Sequence, residues 1–361
     1  VSTARTADVV ITGIGTAVRG LDGPAALFGP LPAGHRSAAD PVSRLTGRGL
    51  RYKDRATKLA MAAAQDALRA AELVDAAGEP TVSGEATGVV ASTNYGNADT
   101  VCETVRTIAE STYLATSPML LPATSSNVVA SWLAITHGLR GANLTLCNGP
   151  TSGLDAVNWA RLLIAAGRVE RVLVAGVEPD NPAVRHVTEA AEASDHEVYG
   201  EFGAPVLFDG AVALVVESPS SAHARGVRPL AAIGPYARRG DHAEAVAEVR
   251  ALRPGPVGLW CVPEHPEGVR APAPALGAAA GSAPVHDLSA LFGPSSGALG
   301  VLQCAAAAVW LDTGPGDDEV ALVSAGTGDA GGDDAGAALI LTAPGAVAAV
   351  AAAPRPAGGV R

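Results

Sequence analysis

Residues Asn143–Val157, reading N-L-T-L-C-N-G-P-T-S-G-L-D-A-V, have the form of a device that aims one side chain at a pocket. Leu144 and Leu146 alternate with polar neighbours as in a strand, Gly149, Pro150 and Gly153 allow a sharp turn, and Leu154–Ala166 carries helical periodicity. A residue at such a turn sits beside a helix N-terminus, where thiolates and oxyanions are stabilised. Two side chains there are candidate nucleophiles. Thr151 is the centre of Gly149-Pro-Thr-Ser-Gly153, a G-x-T-x-G form of the hydrolase elbow. A threonine nucleophile needs a positioned histidine, and no recognisable motif supplies one. Cys147 is a candidate displaced nucleophile, with a small buried strand residue as the competing reading.

Other constellations carry less. Gly13-Ile-Gly15 follows an apolar run as in a dinucleotide fingerprint, but Val18 stands where the third glycine belongs. Asp329, Asp333 and Asp334 read as a solvated turn rather than a cation site. His186 and His196 with Glu189, Glu192 and Asp195 can be drawn as a metal cluster, and read better as a charged surface. No metal and no cofactor is expected. Cys102, Cys147, Cys261 and Cys304 are widely spaced, without a CxxC pair.

The elbow resembles the ketosynthases of the thiolase-like superfamily, whose motif runs roughly T-A-C-[ST]-S-G-L-D-A. Laid over it without gaps, the catalytic cysteine falls on Pro150. The resemblance extends through Val9–Gly15, Asp54–Leu68, Ser117–Asn127, His137–Gly141 and Phe208–Ser218, followed by Ala222–Gly226, all in the family's order. The departures are as consistent as the matches. Val257–Glu267 lacks the H-G-T-x-T motif and carries only His265. Ser289–Gly300, set against K-x-x-x-G-H-x-x-G-A-x-G, puts Ser289 at the lysine and Pro294 at the histidine. Gly326–Gly332 replaces a G-F-G-G turn with its gating phenylalanine. The scaffold is retained and the catalytic residues are lost.

Ketosynthase-like chains without the cysteine occur in type II polyketide systems, paired with an active ketosynthase. The resemblance therefore implies a chain-length-factor-like subunit without catalytic residues of its own. Its implied partners are an active ketosynthase subunit and, through the complex, an acyl carrier protein bearing a phosphopantetheine-bound chain. Met119, Leu120, Leu121, Thr124, Ser125 and Trp132 are the implied tunnel lining, with core packing as the alternative for the first three. Asn143, Thr145 and Cys147 are the implied dimer interface. Usual members carry glutamine at the nucleophile position, so Pro150 marks a divergent chain and argues against a decarboxylating role. Small residues at 123–126 suggest room for a linear or polyene chain. The alternatives are a thiolase-fold acyltransferase, hydrolase or decarboxylase using Cys147 or Thr151, and a stand-alone homodimeric scaffold.

The elements that must position these residues alternate between strand and helix. Strands are expected near 9–13, 87–92, 143–147, 172–176, 211–217, 229–234, 257–261, 320–324 and 337–342. Helices are expected near 54–72, 98–111, 126–137, 154–166 and 296–311. This order and the resemblance imply a duplicated, five-layered α/β/α/β/α fold with mixed, largely parallel sheets. Its halves are expected at 1–218 and 219–345, with a flexible tail at 346–361. Gly20–Gly49 and Pro263–Pro284 read as surface loops. A hydrophobic fraction of 48% with only 4% aromatics predicts close packing through small side chains. The net charge of −11 argues against nucleic-acid binding, since no basic patch is present to neutralise phosphates. No stretch reads as a membrane span, and the reducing cytoplasm is the expected compartment.

Overall fold

The computed structural model describes residues 9–29, 37–47, 49–194, 207–264, 283–316, 318–326 and 335–344. The strands are β1 Val9–Val18, β2 Thr87–Ser92, β3 Asn143–Leu146, β4 Arg171–Glu178, β5 Gly210–Glu217, β6 Ala231–Arg239, β7 Val257–Cys261, β8 Val285–His286, β9 Val320–Ala325 and β10 Gly336–Thr342. The helices are α1 Arg55–Ala70, α2 Ala98–Glu110, α3 Val128–His137, α4 Ser152–Ala165, α5 Pro182–Ser194, α6 Pro219–Ala224, α7 His242–Leu252, α8 Leu288–Phe292 and α9 Leu299–Asp312.

The strands form one sheet in the order β3-β2-β4-β5-β1-β6-β10-β9-β7-β8. Exchanging each of β1 to β5 for the strand five places later reverses this order onto itself, so the duplication is written in the topology. The short ladder from Val9↔Ile233 to Ile11↔Ala231 joins the two halves. The sheet is mixed, but the expected predominance of parallel pairing needs correction. Parallel ladders are confined to β3-β2-β4 and β8-β7-β9. The five central ladders, from β4–β5 through to β10–β9, are antiparallel. An alternating order of strands and helices does not state direction: β4 and β9 each neighbour the next strand in the chain with reversed polarity.

Alternation of side chains along the strands separates three cores. Ala211, Ala213 and Val215 of β5 face α1 and α3, packing with Leu59, Ala63 and Leu133. Val212, Leu214 and Val216 face the central layer, as do Ala321 and Val323 of β9, and pack with Leu154, Val157, Leu302 and Ala305. Val320 and Leu322 face α7 through Val246 and Val249. The five layers are thus α1 and α3, the first half-sheet, α4 and α9, the second half-sheet, and α7.

Small residues set the spacing between layers. Gly13 and Gly15 lie in β1 under α1, where an added Cβ would come within 2.3 Å of Ala67 O and 2.0 Å of Ala63 O. These glycines serve helix-on-strand approach rather than phosphate binding. Asp54 caps α1, accepting from Thr57 N at 2.7 Å. In the central layer α4 crosses α9 at Gly153 and Gly300, where a Cβ on Gly153 would meet Gly300 N at 2.6 Å. Sequence periodicity missed α5, α6, α7, α8 and β8. Asp241, whose side chain accepts from Ala243 N at 2.6 Å, starts α7 and was the available signal.

Candidate functional site

The segment read as an elbow is one. β3 runs to Leu146, Gly149–Thr151 forms a single 3₁₀ turn, and α4 begins at Ser152. Gly149 has φ +80°, a left-handed conformation that favours glycine. Pro150 follows in the first turn, where its missing N–H removes no helical hydrogen bond. That same feature leaves the tip with neither a nucleophilic atom nor a backbone donor for a developing oxyanion.

The neighbouring nucleophiles are engaged. Thr151 is 1% exposed and its hydroxyl donates to Asp155 Oδ2 at 2.9 Å. Asp155 also accepts from Asn148 Nδ2 and from the Tyr236 hydroxyl, and Arg238 Nε lies 3.7 Å away. No imidazole is among the partners of Thr151 or Asp155. Burial, and then Asp155 itself, pushes the Tyr236 phenol up. Cys147 is exposed, contrary to the buried-strand reading, and its thiol donates weakly to Asn94 O at 3.6 Å. Partial burial and then the Glu178 carboxylate hold that thiol above its ordinary range, which disfavours the thiolate.

The fold brings the two degenerate motifs together. Asn94, in the turn after β2, donates through Nδ2 to Gly149 O at 3.0 Å and to Ser296 Oγ at 2.8 Å. Its Oδ1 accepts from Gly149 N at 3.3 Å and from Ser152 Oγ at 3.1 Å. Pro294 stands at the entrance to the 294–297 loop, and its carbonyl accepts from Phe208 N at 3.2 Å. Ser295 N and Ser296 N donate to Glu264 Oε2 at 2.6 and 2.8 Å. At the end of β4, Glu178 accepts from Asn94 N at 2.6 Å and from Gly297 N and Tyr95 N, both at 3.1 Å. Thr93 Oγ1 adds a bond at 3.2 Å. Burial pushes this carboxyl up to about 7 against the pull of those donors. Ser289 is buried on α8, the turn before the loop.

Asn94, Asp155, Glu178, Tyr236 and Glu264 were not singled out from sequence. The available signal was position: Asn94 and Glu178 end strands of a β/α unit, where such sheets gather their sites. His265 and 327–332 lie outside the described residues, as do His196, Asp195, the three late aspartates and the 346–361 tail. His186 and Glu189 are exposed on α5, and no group of three or more metal-ligating side chains occurs among the described residues.

β3 is the outermost strand of the sheet. Val89 N donates to Ala142 O at 2.7 Å and Thr93 N to Leu146 O at 3.1 Å, so residues 142, 144 and 146 turn their backbone toward β2. Asn143, Thr145 and Cys147 therefore present theirs outward. The Thr145 hydroxyl is buried without a partner. Ile135 of α3 and Trp159 of α4, the helices that contact β3, are exposed, as are Val105 and Ile108 of α2 and Met119, Leu120 and Leu121, and α2 buries no residue at all. Met119, Leu120 and Leu121 are thus not core. Asn97 Nδ2 holds their turn by donating to Ala123 O at 2.6 Å and Ser125 O at 3.0 Å. Trp132 is half-buried against the outer core, with Lys53 Nζ 3.1 Å from its ring centroid, and so stands apart from Met119–Leu121 in environment.

An elbow at the crossing of two central helices, inside a duplicated five-layer sheet, defines the thiolase-like class of fold. The chain belongs to the beta-ketoacyl synthase family, whose N-terminal domain matches residues 28–220. It is 28% identical over 364 residues to the granaticin polyketide putative beta-ketoacyl synthase 1 of Streptomyces violaceoruber, covering 84% of this chain and 86% of that one. It is likewise 28% identical to the tetracenomycin polyketide synthase ketoacyl synthase alpha subunit of Streptomyces glaucescens, with 85% of each chain covered. Among solved structures it resembles the ishigamide ketosynthase/chain length factor, at 27% identity and a TM-score of 0.71, over 93% of this chain and 99% of that one. Among the described residues no helix is long and apolar enough to cross a membrane.

Proposed function

We propose that this chain is the non-catalytic, chain-length-factor-like subunit of a type II polyketide synthase, pairing with an active ketosynthase in the cytoplasm and walling the tunnel that receives its chain. The observation that carries the reading is Pro150 at the elbow tip, a residue with no nucleophile and no N–H, with Pro294 in the loop that faces it. The relatives support the setting: both curated ones are polyketide ketosynthases by name, and the structural neighbour is a ketosynthase/chain length factor.

The open edge of β3 supports the pairing. Asn143, Thr145 and Cys147 offer a second chain a row of unused donors and acceptors, and the exposed apolar residues around them supply area to bury. A partner strand running antiparallel about Thr145 would also give its orphaned hydroxyl a neighbour. Met119, Leu120, Leu121, Thr124 and Ser125 would then border a cavity that only the partner closes. An acyl carrier protein would deliver its phosphopantetheine-bound chain to the partner's cysteine. We propose also that 1–218 and 219–345 are halves of one folding unit, because α4 and α9 share a single core.

The test is co-expression with a ketosynthase that retains its cysteine and both histidines. The expected result is a one-to-one complex that condenses malonyl groups from the carrier protein, while this chain alone does not. Condensation by the isolated chain would refute the reading.

A further inference from the structure

Pro150 removes the chemistry of the elbow, but the groups around it go further than inertness requires. Asn94 uses the full hydrogen-bonding capacity of its amide, two N–H donors and two oxygen lone pairs, on the elbow and the 294–297 loop. In doing so it takes both backbone polar groups of Gly149, the residue before Pro150. The loop on the far side turns through Ser296 at φ +43°, and its successive N–H groups at 295, 296 and 297 form a concave donor array of the kind that binds anions. That array is already filled, by Glu264 on Ser295 and Ser296 and by Glu178 on Gly297. The three segments are in contact: a Cβ on Gly297 would lie 2.7 Å from Glu178 Oε1 and 2.9 Å from Asn94 N. On the other side a Cβ on Gly153 would lie 3.0 Å from Gly297 O.

We propose that Asn94, held by Glu178, and Glu264 weld the elbow to the 294–297 loop and shut it to acyl thioesters, so that carrier-bound chains are admitted only at the partner's site. The inference rests on the reading of Pro150 as inert, and extends it from chemistry to access. The residues act by position: they fill the donor sites that an incoming thioester carbonyl or a malonyl carboxylate would need.

The experiment installs a reporter thiol at the tip. In a Cys102→Ser, Cys147→Ser background, which leaves only the buried Cys261 and Cys304, Pro150→Cys is compared with Pro150→Cys combined with Asn94→Gly and Glu264→Ala. The probes are iodoacetamide and the acetyl thioester of N-acetylcysteamine, followed by mass spectrometry. In the second reaction the introduced sulfur bonds to the acetyl carbon, the thioester C–S bond breaks, and N-acetylcysteamine leaves as the thiol with the displaced proton. The expected result is labelling at least tenfold faster in the unwelded protein, with both variants melting cooperatively above the assay temperature. Should the triple combination not fold, Pro150→Cys with Asn94→Asp replaces it. Aspartate keeps the acceptor role of Oδ1 but faces Gly149 O and Ser296 Oγ without a donor, and a severalfold acceleration is expected. Equal rates in welded and unwelded proteins would overturn the weld and leave the inert elbow standing. Acetylation of the Pro150 chain at Thr151 would overturn both.

Discussion

The two ends of the segment from Asn143 to Asp155 are in opposite states. At its inner end, Thr151, Ser152 and Asp155 are buried, and each side chain is spent on a partner within the chain. At its outer end, Asn143, Thr145 and Cys147 turn backbone groups away from the sheet. Thr145 even carries a buried hydroxyl with no acceptor or donor. Side chains bonded within the chain need no further partner, whereas outward-facing backbone groups on an edge strand are open to a second chain. In an active ketosynthase the elbow is the working end. Under the proposed function that role passes to the edge.

Substitutions at each end should separate the two roles. The largest effect is expected from Thr145→Pro. The Thr145 N–H faces outward, so proline removes a donor from the open edge while the bonds of residues 144 and 146 to β2 remain. Association with the ketosynthase should weaken at least 100-fold by light scattering on a sizing column, with the melting temperature of the lone chain nearly unchanged. A complex of undiminished affinity would show that β3 is not the pairing edge.

Acidification should act on the folded scaffold behind both ends. Burial holds His242 and His137 well below the ordinary imidazole value, each at about 4. Between about 6.5 and 4 the unfolded chain binds these protons and the folded chain does not, so their stabilisation is present above 6.5 and is lost as the pH falls toward 4. For His242, 2% exposed, the loss should reach on the order of 3 kcal/mol. His242→Asn should flatten the pH dependence of denaturant unfolding over that range. An unchanged slope would mean that His242 titrates normally in the fold.

A smaller change is expected at the helix crossing beneath the elbow. Gly300→Ala places a methyl against Leu154 N, 2.3 Å from the ideal Cβ position, and should cost about 1–3 kcal/mol by overpacking. If association is read only at the outer end, the surviving folded fraction should still pair with the ketosynthase at its original affinity. Weaker pairing in that fraction would show that the two ends are coupled.

The subtlest effect concerns product length in the reconstituted complex. Thr124→Phe or Ser125→Phe should shift the distribution toward shorter chains, and Met119→Ala toward longer ones. Trp132→Ala serves as a contrast: beneath Lys53 and against the outer core, it should lower stability without changing length. A distribution unmoved by the first three substitutions, in intact complexes, would remove the 119–125 segment from the tunnel.

Much of this was legible in the residues alone, for a local reason. That proline at 150 has no nucleophile is a covalent fact, independent of fold. The apolar runs of β4 and β5, the small residues of α1 and the Asn-Gly-Pro turn are likewise short-range, because strand pleat, helix period and turn dihedrals repeat within a few residues. The duplicated layers and the departures from both histidine motifs are what the resemblance to the ketosynthases implies, while element order follows from such signals. Strand direction did not, since the same pattern suits either polarity, and the predominance of parallel pairing was accordingly overestimated. Nor did the exposure of Cys147, which depends on β3 lying at an edge rather than between two strands.

The site as a set of interacting groups belongs to the tertiary structure. Asn94, Glu178 and Glu264 are unremarkable at their own positions, each a polar residue at the end of a strand. They meet because β2 and β4 of one half-sheet and β7 of the other all lead to the 294–297 loop, and because Gly153 and Gly300 let α4 and α9 cross at backbone contact. Contacts across such separations in the chain leave no periodic trace in it. The sequence by itself determined that the tip of the elbow, Pro150, carries no nucleophilic atom. Only the packing of the two halves decided that the backbone donors facing it are taken by Glu178 and Glu264, and that β3 lies at an edge with outward-facing backbone groups.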